Sequence, residues 1–346
     1  GTLGFPPGVD SSAPGAASTE LGVATTGIHG VKNLSDAGLV GLSGRLEVLH
    51  DGSADFGHLL RLFDSTIFVD RAPGGSSMNG RHRFGQADVH GQLTLQSDHG
   101  YSVLFDGVKL LGYDCGIRNQ TALPLVLDNL VGSPPISAPG SSSPSDSTVT
   151  FECASDILID GPLAQSPGTG VYGVTKEGSG TLRFGSGISG FGGNLTVKAG
   201  LLDLNGAQYA VRRASITGDS TAGAGRIVTG PNGSLRINDS LLGHGAAVFT
   251  GHLILGGGNA HLGSSSGSSL VIDGPVSGSA GSSILIGSQG NVRFTGAGNT
   301  QPGVVNVTGK LAGVFGQGPV VENPSRPRTF MYQSGKPVFL VGKFLD

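Results

Sequence analysis

The stretch from Val174 to Gly206 constrains the fold more than any other part of the chain. It reads as three short strands, at Gly180–Phe184, Gly193–Lys198 and Gly200–Asn205, separated by Gly, Asn and Ser. Large apolar residues recur at alternate positions within each strand, which places one set of side chains on a buried face. Glycine at the corners allows positive φ angles and close approach of successive turns. A chain that repeats strand, glycine corner and strand is predicted to wind as a solenoid rather than to fold into hairpins.

The same stretch carries three motifs in a fixed order. They are Lys176-Glu177-Gly178-Ser179-Gly180-Thr181-Leu182, Gly192-Gly193-Asn194-Leu195-Thr196-Val197 and Gly200-Leu201-Leu202. Together they resemble the passenger-associated repeat of bacterial autotransporter passengers. The chain departs from that repeat at Gly187-Ile188-Ser189, where the family usually has Asn-Thr-Tyr. The resemblance implies a right-handed parallel β-helix and an extracellular or bacterial cell-surface location.

The pattern recurs further along the chain, at a constant offset of 110 residues. Gly290–Gly296 repeats the segment that begins at Gly180, and Gly303–Val307 repeats the one that begins at Gly193. An Ile-Asp-Gly-Pro tetrapeptide precedes each copy, at 159–162 and at 272–275. Internal repetition is the sequence signature of a solenoid. Chance similarity in a chain rich in Gly, Ser and Val is the alternative explanation, and neither copy carries a catalytic side chain.

Composition excludes several other classes of protein. The chain has 63 Gly among 346 residues but no strict Gly-X-Y period, which argues against collagen. Hydrophobic residues make up 37% and strand-like runs recur, which argues against disorder. Charged residues make up only 13% and the net charge is −3, so neither nucleic acid nor an anionic membrane is an expected partner. No apolar run approaches the roughly 18–20 residues that a membrane-spanning helix needs.

These observations predict an all-β chain in three parts. Residues 1–30 form an extended N-terminal arm, residues 31–315 a right-handed parallel β-helix, and residues 316–346 an apolar C-terminal segment that includes a strand. A Pro- and Ser-rich loop at 132–147 interrupts the solenoid. The run Phe56–Phe63 is compatible with a short helix or with a strand. The chain opens at Gly1 without a Met, as a mature chain or an excised fragment would.

Residues 71–85 are predicted to form a loop that carries a small basic cluster. The cluster consists of Arg71, Arg81, His82 and Arg83. It is interpreted as a solvated surface, and an anion or glycan contact is the alternative.

The chain has two cysteines, Cys115 and Cys153. An even count in a secreted protein predicts one disulfide, which would close the loop between them and stabilise the fold by roughly 3–4 kcal/mol. Two buried thiols are the alternative. Neither cysteine belongs to a Cys-x-x-Cys pair, so no metal or other cofactor is predicted.

Both ends of the chain carry candidate assembly residues. An open solenoid end exposes unpaired backbone groups and invites the addition of a strand. The apolar positions near the two ends are Leu3, Phe5, Val338, Phe339, Leu340, Val341, Phe344 and Leu345. They either cap their own solenoid or pair with the next molecule, and a head-to-tail contact that does not close gives an open fibre.

No catalytic residue is predicted. The candidate carboxylates are scattered and stand mostly at corners, where aspartate is a normal residue: Asp156, Asp160, Asp203, Asp219, Asp239 and Asp273. The expected function is therefore that of a non-catalytic extracellular structural protein, a self-assembling subunit of a surface filament, fibre or sheath. Its expected partner is itself, with host-surface or matrix glycans as further candidates. The alternatives are a monomeric adhesin passenger and, third, a polysaccharide-active β-helix enzyme, which would need paired carboxylates in a groove.

Overall fold

The structure is a computed structural model that describes residues 2–3, 39–57, 59–133, 147–166, 171–185, 191–219, 223–256, 259–278, 283–286, 291–295, 305–307, 310–313 and 329–330. Phe5, the predicted assembly residues from Val338 to Leu345 and most of the predicted loop at 132–147 lie outside these residues.

Every regular element among the described residues is a β-strand, as the sequence predicts. The first fourteen strands are β1 (Thr2–Leu3), β2 (Leu39–Leu49), β3 (Ala54–Asp55), β4 (Leu59–Asp70), β5 (Arg81–Ser97), β6 (Ser102–Leu110), β7 (Asp114–Asn119), β8 (Leu125–Leu127), β9 (Leu130–Gly132), β10 (Ser147–Cys153), β11 (Ile157–Ile159), β12 (Leu163–Gln165), β13 (Tyr172–Glu177) and β14 (Thr181–Phe184). The others are β15 (Leu195–Val197), β16 (Leu201–Asp203), β17 (Gln208–Asp219), β18 (Gly223–Ala224), β19 (Arg226–Val228), β20 (Ser234–His244), β21 (Ala246–Thr250), β22 (His252–Leu255), β23 (Asn259–Ser264), β24 (Ser269–Asp273), β25 (Val276–Gly278), β26 (Ser283–Ile286), β27 (Asn291–Phe294), β28 (Val305–Val307), β29 (Lys310–Gly313) and β30 (Thr329–Phe330).

The chain divides into two compact units. Unit 1 comprises residues 1–172 and 180–185, and unit 2 comprises residues 173–179 and 186–346. In both units parallel strands stack as a β-solenoid, with about 9 turns along the described chain. The predicted parallel winding is thereby confirmed, and its right-handed sense stays a prediction.

Unit 1 has three parallel sheets, named in chain order. Sheet A contains the second halves of β2, β4 and β5, followed by β7 and β10. Sheet B contains β3, the start of β5, then β6, β8, β11 and β14. Sheet C contains the first halves of β2 and β4, the middle of β5, then the end of β6, β9 and β12. One inward row of sheet A reads Leu46, Ile67, Leu95, Asn119 and Cys153, all of them buried.

Unit 2 repeats this succession of sheets. Its sheet A contains β15, the second halves of β17 and β20, then β23, β26 and β28. Its sheet B contains β16, β19, β21, β24, β27 and β29, and its sheet C the first halves of β17 and β20, then β22 and β25. One inward row of sheet B reads Leu202, Ile227, Phe249, Ile272 and Phe294, again all buried.

The alternation that predicted the fold is confirmed in the strands β14, β15 and β16 and at Leu204, which follows β16. Their predicted inward residues are each at most 1% exposed: Leu182, Phe184, Leu195, Val197, Leu202 and Leu204. Full burial of such a side chain contributes about 1.5–3 kcal/mol to folding. The ambiguous run before Phe63 belongs to a strand from Leu59 onward.

The two predicted copies of the repeat have the same local structure. Leu182 and Phe184 are buried around an exposed Arg183 in β14, and Val292 and Phe294 are buried around an exposed Arg293 in β27. The repeated tetrapeptide marks a corner where the backbone runs close to a carbonyl oxygen of the preceding coil. A Cβ atom added at Gly161 would lie 1.7 Å from the Asp128 oxygen, and one at Gly274 would lie 2.1 Å from the Gly251 oxygen. Only glycine permits that approach.

Candidate functional site

The predicted assembly sites are the strand edges at the two ends of the described chain. In unit 1, Thr2–Leu3 pairs in parallel with Arg45–Leu46 of β2, so the described end of the predicted arm lies against its own chain. In unit 2, Thr329–Phe330 pairs in antiparallel fashion with β28. Both terminal strands are only two residues long. Very short edge strands of this kind cover only part of an open sheet edge.

Further edges of the terminal coils have a strand on one side only, within the described residues. The first half of β2 and all of β3 have a following neighbour, in β4 and β5 respectively. In unit 2, β25 and β29 have a preceding neighbour, in β22 and β27. An unpaired edge of a parallel strand presents backbone groups that another strand can use.

The predicted disulfide between Cys115 and Cys153 is wrong. Both residues are buried thiols that form no disulfide. Cys115 is the register partner of Val149 and Cys153 that of Asn119, so the two cysteines are offset by four residues on neighbouring strands. That offset corresponds to about 13 Å along a strand, whereas a disulfide requires Cα atoms within about 7 Å. The count of cysteines suggested a bridge, but the register of β7 against β10 excludes it.

The thiol of Cys115 is surrounded by polar groups of unit 1. Its Sγ atom lies 3.6 Å from the hydroxyl group of Tyr172 and 3.6 Å from the carbonyl oxygen of Val89. The Tyr172 hydroxyl donates a hydrogen bond to the carbonyl of Gly112. Burial, followed by the neighbouring Cys115, raises the pKa of Tyr172 above its ordinary range, so the phenol stays neutral.

The predicted basic loop is wrong from Arg81 onward, because β5 begins there. Arg83 lies on the outer face and bridges the carboxylates of Asp106, at 2.6 Å, and Asp55, at 3.2 Å. These two carboxylates, Asp106 first, raise the pKa of Arg83. His82 points inward and is fully buried. Strand alternation thus separates His82 from Arg81 and Arg83, which are both exposed on the outer face.

Asn119 organises a buried polar corner in unit 1. Its amide nitrogen donates to the carbonyl oxygens of Leu123 and Asp156 and to the hydroxyl of Ser155, at 2.8–3.1 Å. Its amide oxygen accepts from the backbone nitrogen and the hydroxyl of Thr121. Since the side chain is fully buried and its hydrogen bonds are made, Asn119 is structural, and the Asn-x-Thr pattern there is not accessible for glycosylation.

Lys176, the first residue of the autotransporter-like motif, is fully buried in unit 2. Its ammonium group donates to the carbonyl oxygens of Glu177 at 2.9 Å, Gly178 at 2.5 Å and Ala199 at 2.9 Å. A buried ammonium group requires such partners because it loses its hydration. The motif therefore places a cation where three backbone carbonyls converge, and the sequence alone did not indicate this role.

The candidate carboxylates take part in local contacts of the solenoid. Asp156 accepts from the Thr181 nitrogen at 2.7 Å, and Asp203 accepts from the Asn205 nitrogen at 2.8 Å. Asp273 accepts from the Thr295 hydroxyl at 3.0 Å. Among the residues that the structure describes, no group of three or more His, Cys, Asp or Glu residues could hold a metal ion.

One pair of side chains has the arrangement of a nucleophile and a base. Nε2 of His252 in β22 lies 2.7 Å from the hydroxyl of Ser277 in β25. Catalysis by such a pair also needs a group that orients the histidine and donors that stabilise an oxyanion. Within the described ranges no carboxylate contacts His252, and the pair joins the neighbouring strands β22 and β25.

The fold defines the chain as a parallel β-solenoid protein. The chain matches no protein-family model, no curated protein and no solved structure. The resemblance to autotransporter passengers therefore rests on the motifs described above. In the described part of the chain, no helix has the length and apolarity needed to cross a membrane.

Proposed function

We propose that this chain is a non-catalytic, extracellular structural protein that assembles end to end into a surface filament, fibre or sheath. The observation that carries the proposal is that, within the described ranges, strands of the terminal coils are paired on one side only. The strand Leu39–Leu49 is 11 residues long, and β1 covers only Arg45–Leu46 of its outer edge. The motif-level resemblance to secreted passengers supports the extracellular location.

A parallel solenoid is suited to head-to-tail addition. Among the described residues, the strand pairings are parallel apart from the short pairings of β17 with β18 and of β28 with β30. A second molecule that docks its last coil on the first coil of its neighbour would continue several parallel ladders at once. Such a heterologous contact repeats without closing, which gives a filament. The backbone hydrogen bonds would supply affinity and the side-chain rows would set the register.

A monomeric adhesin is the second candidate, and one surface feature favours it. Phe63 on the outer face of sheet C in unit 1 is 41% exposed. Its ring stacks on that of His90 at 4.7 Å between centroids. Arg61 and Asp88 lie in the adjacent outward row, with 3.8 Å between their charged groups. An exposed aromatic surface beside charged groups suits a ligand that is partly apolar and partly polar, such as a glycan.

Electron microscopy of negatively stained protein tests the assembly. We expect regular fibres from the full chain. The substitution Gly41→Lys places a charge on the edge strand β2, where an added Cβ meets no atom within 4 Å. It should abolish fibres, because charged residues on edge strands prevent pairing. Met78→Lys, at a loop position that is 62% exposed, is the matched control and should leave fibres intact.

A chain that ends at Lys336 tests the predicted role of the apolar tail. Single particles from this truncation and fibres from the full chain would support tail-mediated assembly. Fibres from both chains would support the filament proposal but show that the apolar tail is not needed for assembly. Monodisperse particles from the full chain would reject the filament and favour the adhesin, for which Phe63→Ser should then reduce binding to a glycan array.

A further inference from the structure

His82 lies inside a cluster of rings in unit 1. Its side chain is fully buried. Its ring centroid lies 6.0 Å from that of His50, 5.6 Å from that of Phe56 and 5.1 Å from that of Tyr101. Phe84 extends the cluster by stacking on Phe56 at 5.3 Å. The imidazole of His82 is thus surrounded on several sides by aromatic surface.

Neither ring nitrogen of His82 has a hydrogen-bond partner, and the same is true of Nδ1 of His50. Buried polar atoms in folded proteins are nearly always hydrogen-bonded, and an exception requires an explanation. Two imidazoles with unsatisfied nitrogens meet edge to face here, at an interplanar angle of 82°. The site therefore accommodates the neutral imidazole of His82, and Asp70 is the neighbouring group that favours the charged form.

The titratable groups that face His82 are His50, Asp70 and Tyr101. The Asp70 carboxylate is already engaged, because it lies 2.8 Å from Nδ1 of His99 and accepts from the Arg71 nitrogen. The Tyr101 hydroxyl accepts a hydrogen bond from the Gly52 nitrogen at 2.9 Å. On the neighbouring outward positions, Asp55 and Arg83 pair with each other and do not reach the ring cluster.

Burial, and after it the neighbouring His50, lowers the pKa of His82 from 6.5 to about 4, against a smaller opposing influence of Asp70. At neutral pH the ring is therefore uncharged. An exposed histidine in an opened coil would keep a pKa near 6.5. Between these two values the opened coil binds more protons than the closed one, so acid favours opening.

The cluster lies directly beneath the first strand of sheet B. Ala54 is the register partner of His82, and Asp55 is that of Arg83. The Phe56 nitrogen donates to the Arg83 carbonyl oxygen at 2.9 Å. The segment from His50 to Phe56 thus depends on β5 for its backbone pairing and on the ring cluster for its packing.

We propose that His82, packed against His50, Phe56 and Tyr101, is an acid-sensitive latch that holds the segment from His50 to Phe56 against β5 at neutral pH and releases it when the His82 imidazole is protonated. Release uncovers the edge of β5 in sheet B, which is a strand edge that another chain can use. The latch does not depend on the assembly proposed above.

Hydrogen exchange measured by mass spectrometry on the full chain tests the latch. After correction for intrinsic rates, protection of the segment 50–56 should fall as the pH drops from 7 to 4. With pKa values of 6.5 and about 4, the closing equilibrium should fall about 100-fold between pH 7 and pH 4. The substitution His82→Phe keeps an aromatic ring and should remove this pH dependence. His90→Phe, at the surface stack with Phe63, is the control and should retain it.

Titration of the His82 ring by NMR in the wild-type chain gives a second, independent measurement. A ring that stays neutral down to about pH 4 supports the latch. A ring that titrates near 6.5, or protection of 50–56 that is the same at pH 7 and pH 4, overturns it. Retention of the full pH dependence in the His82→Phe variant also overturns it.

Discussion

Units 1 and 2 have the same succession of three sheets but accommodate inward polar residues differently. Unit 1 buries neutral side chains: the amide of Asn119, with donors and acceptors satisfied, and the imidazole of His82, with neither nitrogen satisfied. Unit 2 buries the cation of Lys176 among three carbonyl oxygens. A solenoid core therefore accepts a polar residue where a corner presents backbone groups to it. The imidazole of His82 lacks that support.

The largest expected effect concerns the glycine corner that both units share. Gly161→Ala in unit 1 and Gly274→Ala in unit 2 would each force a Cβ atom into a carbonyl oxygen of the preceding coil. We expect each to lower the free energy of unfolding by about 3 kcal/mol or more. Chemical denaturation measures the loss. Gly41→Ala, where the new Cβ has open space, is the control and should change stability by less than about 0.5 kcal/mol.

The next largest effect is expected at the buried polar corner around Asn119 in unit 1. Asn119→Leu removes the donor and acceptor of that corner and leaves Thr121 and the Asp156 carbonyl without this partner. We expect a loss of about 3 kcal/mol, because unsatisfied buried groups cost about 1–3 kcal/mol each. Gln120→Ala, at the exposed neighbouring position, is the matched control. Equal stability of the two variants would contradict the role assigned to Asn119.

A smaller effect is expected for the buried cation of unit 2. Lys176→Met keeps the length of the side chain but leaves three carbonyl oxygens without the ammonium donor. The expected loss is about 2 kcal/mol, since removal of the buried charge offsets part of the lost hydrogen bonding. Lys198→Met removes an exposed ion pair with Glu177 and should cost less than about 1 kcal/mol. Thermal unfolding of the two variants compares the buried and the exposed lysine.

The last prediction is that a reductant has no effect on stability. Because the register separates Cys115 from Cys153, a reductant should leave the melting temperature of the protein unchanged. Thiol labelling in denaturant without reductant should find both cysteines reactive. A single bridged pair under those conditions, or a melting temperature that falls on reduction, would show that the register of β7 against β10 is different.

The sequence predicted the features that depend on local pattern. Alternating residues such as Leu182 and Phe184 indicated strands, and the recurrence of Ile-Asp-Gly-Pro ahead of both copies indicated an internal repeat. These patterns predicted a solenoid, and the resemblance to autotransporter passengers predicted that it is a parallel β-helix. The start of β5 at Arg81 was missed because a basic segment after a glycine-rich turn has the composition of a loop.

Features that depend on register could not be predicted in this way. Cys115 and Cys153 lie in strands that pair, but a pattern within one strand does not show which residue of the next strand stands beside it. The role of Lys176 depends on the Ala199 carbonyl, which lies 23 residues further along the chain. His82 is buried because it lies on the inward face of β5, against the rings of His50, Phe56 and Tyr101. Each of these contacts joins two coils, so the sequence pattern of one strand does not reveal it.

The parallel ladders also determine how such a chain can fold. Leu46 meets Ile67, Ile67 meets Leu95 and Leu195 meets Ala214, so each strand pairs only after a whole further coil has been laid down. Topologies dominated by such non-local contacts fold slowly, and repeat architectures propagate from one formed unit to its neighbour. Folding within each unit is therefore expected to advance by stepwise growth, with each completed coil acting as the template for the next.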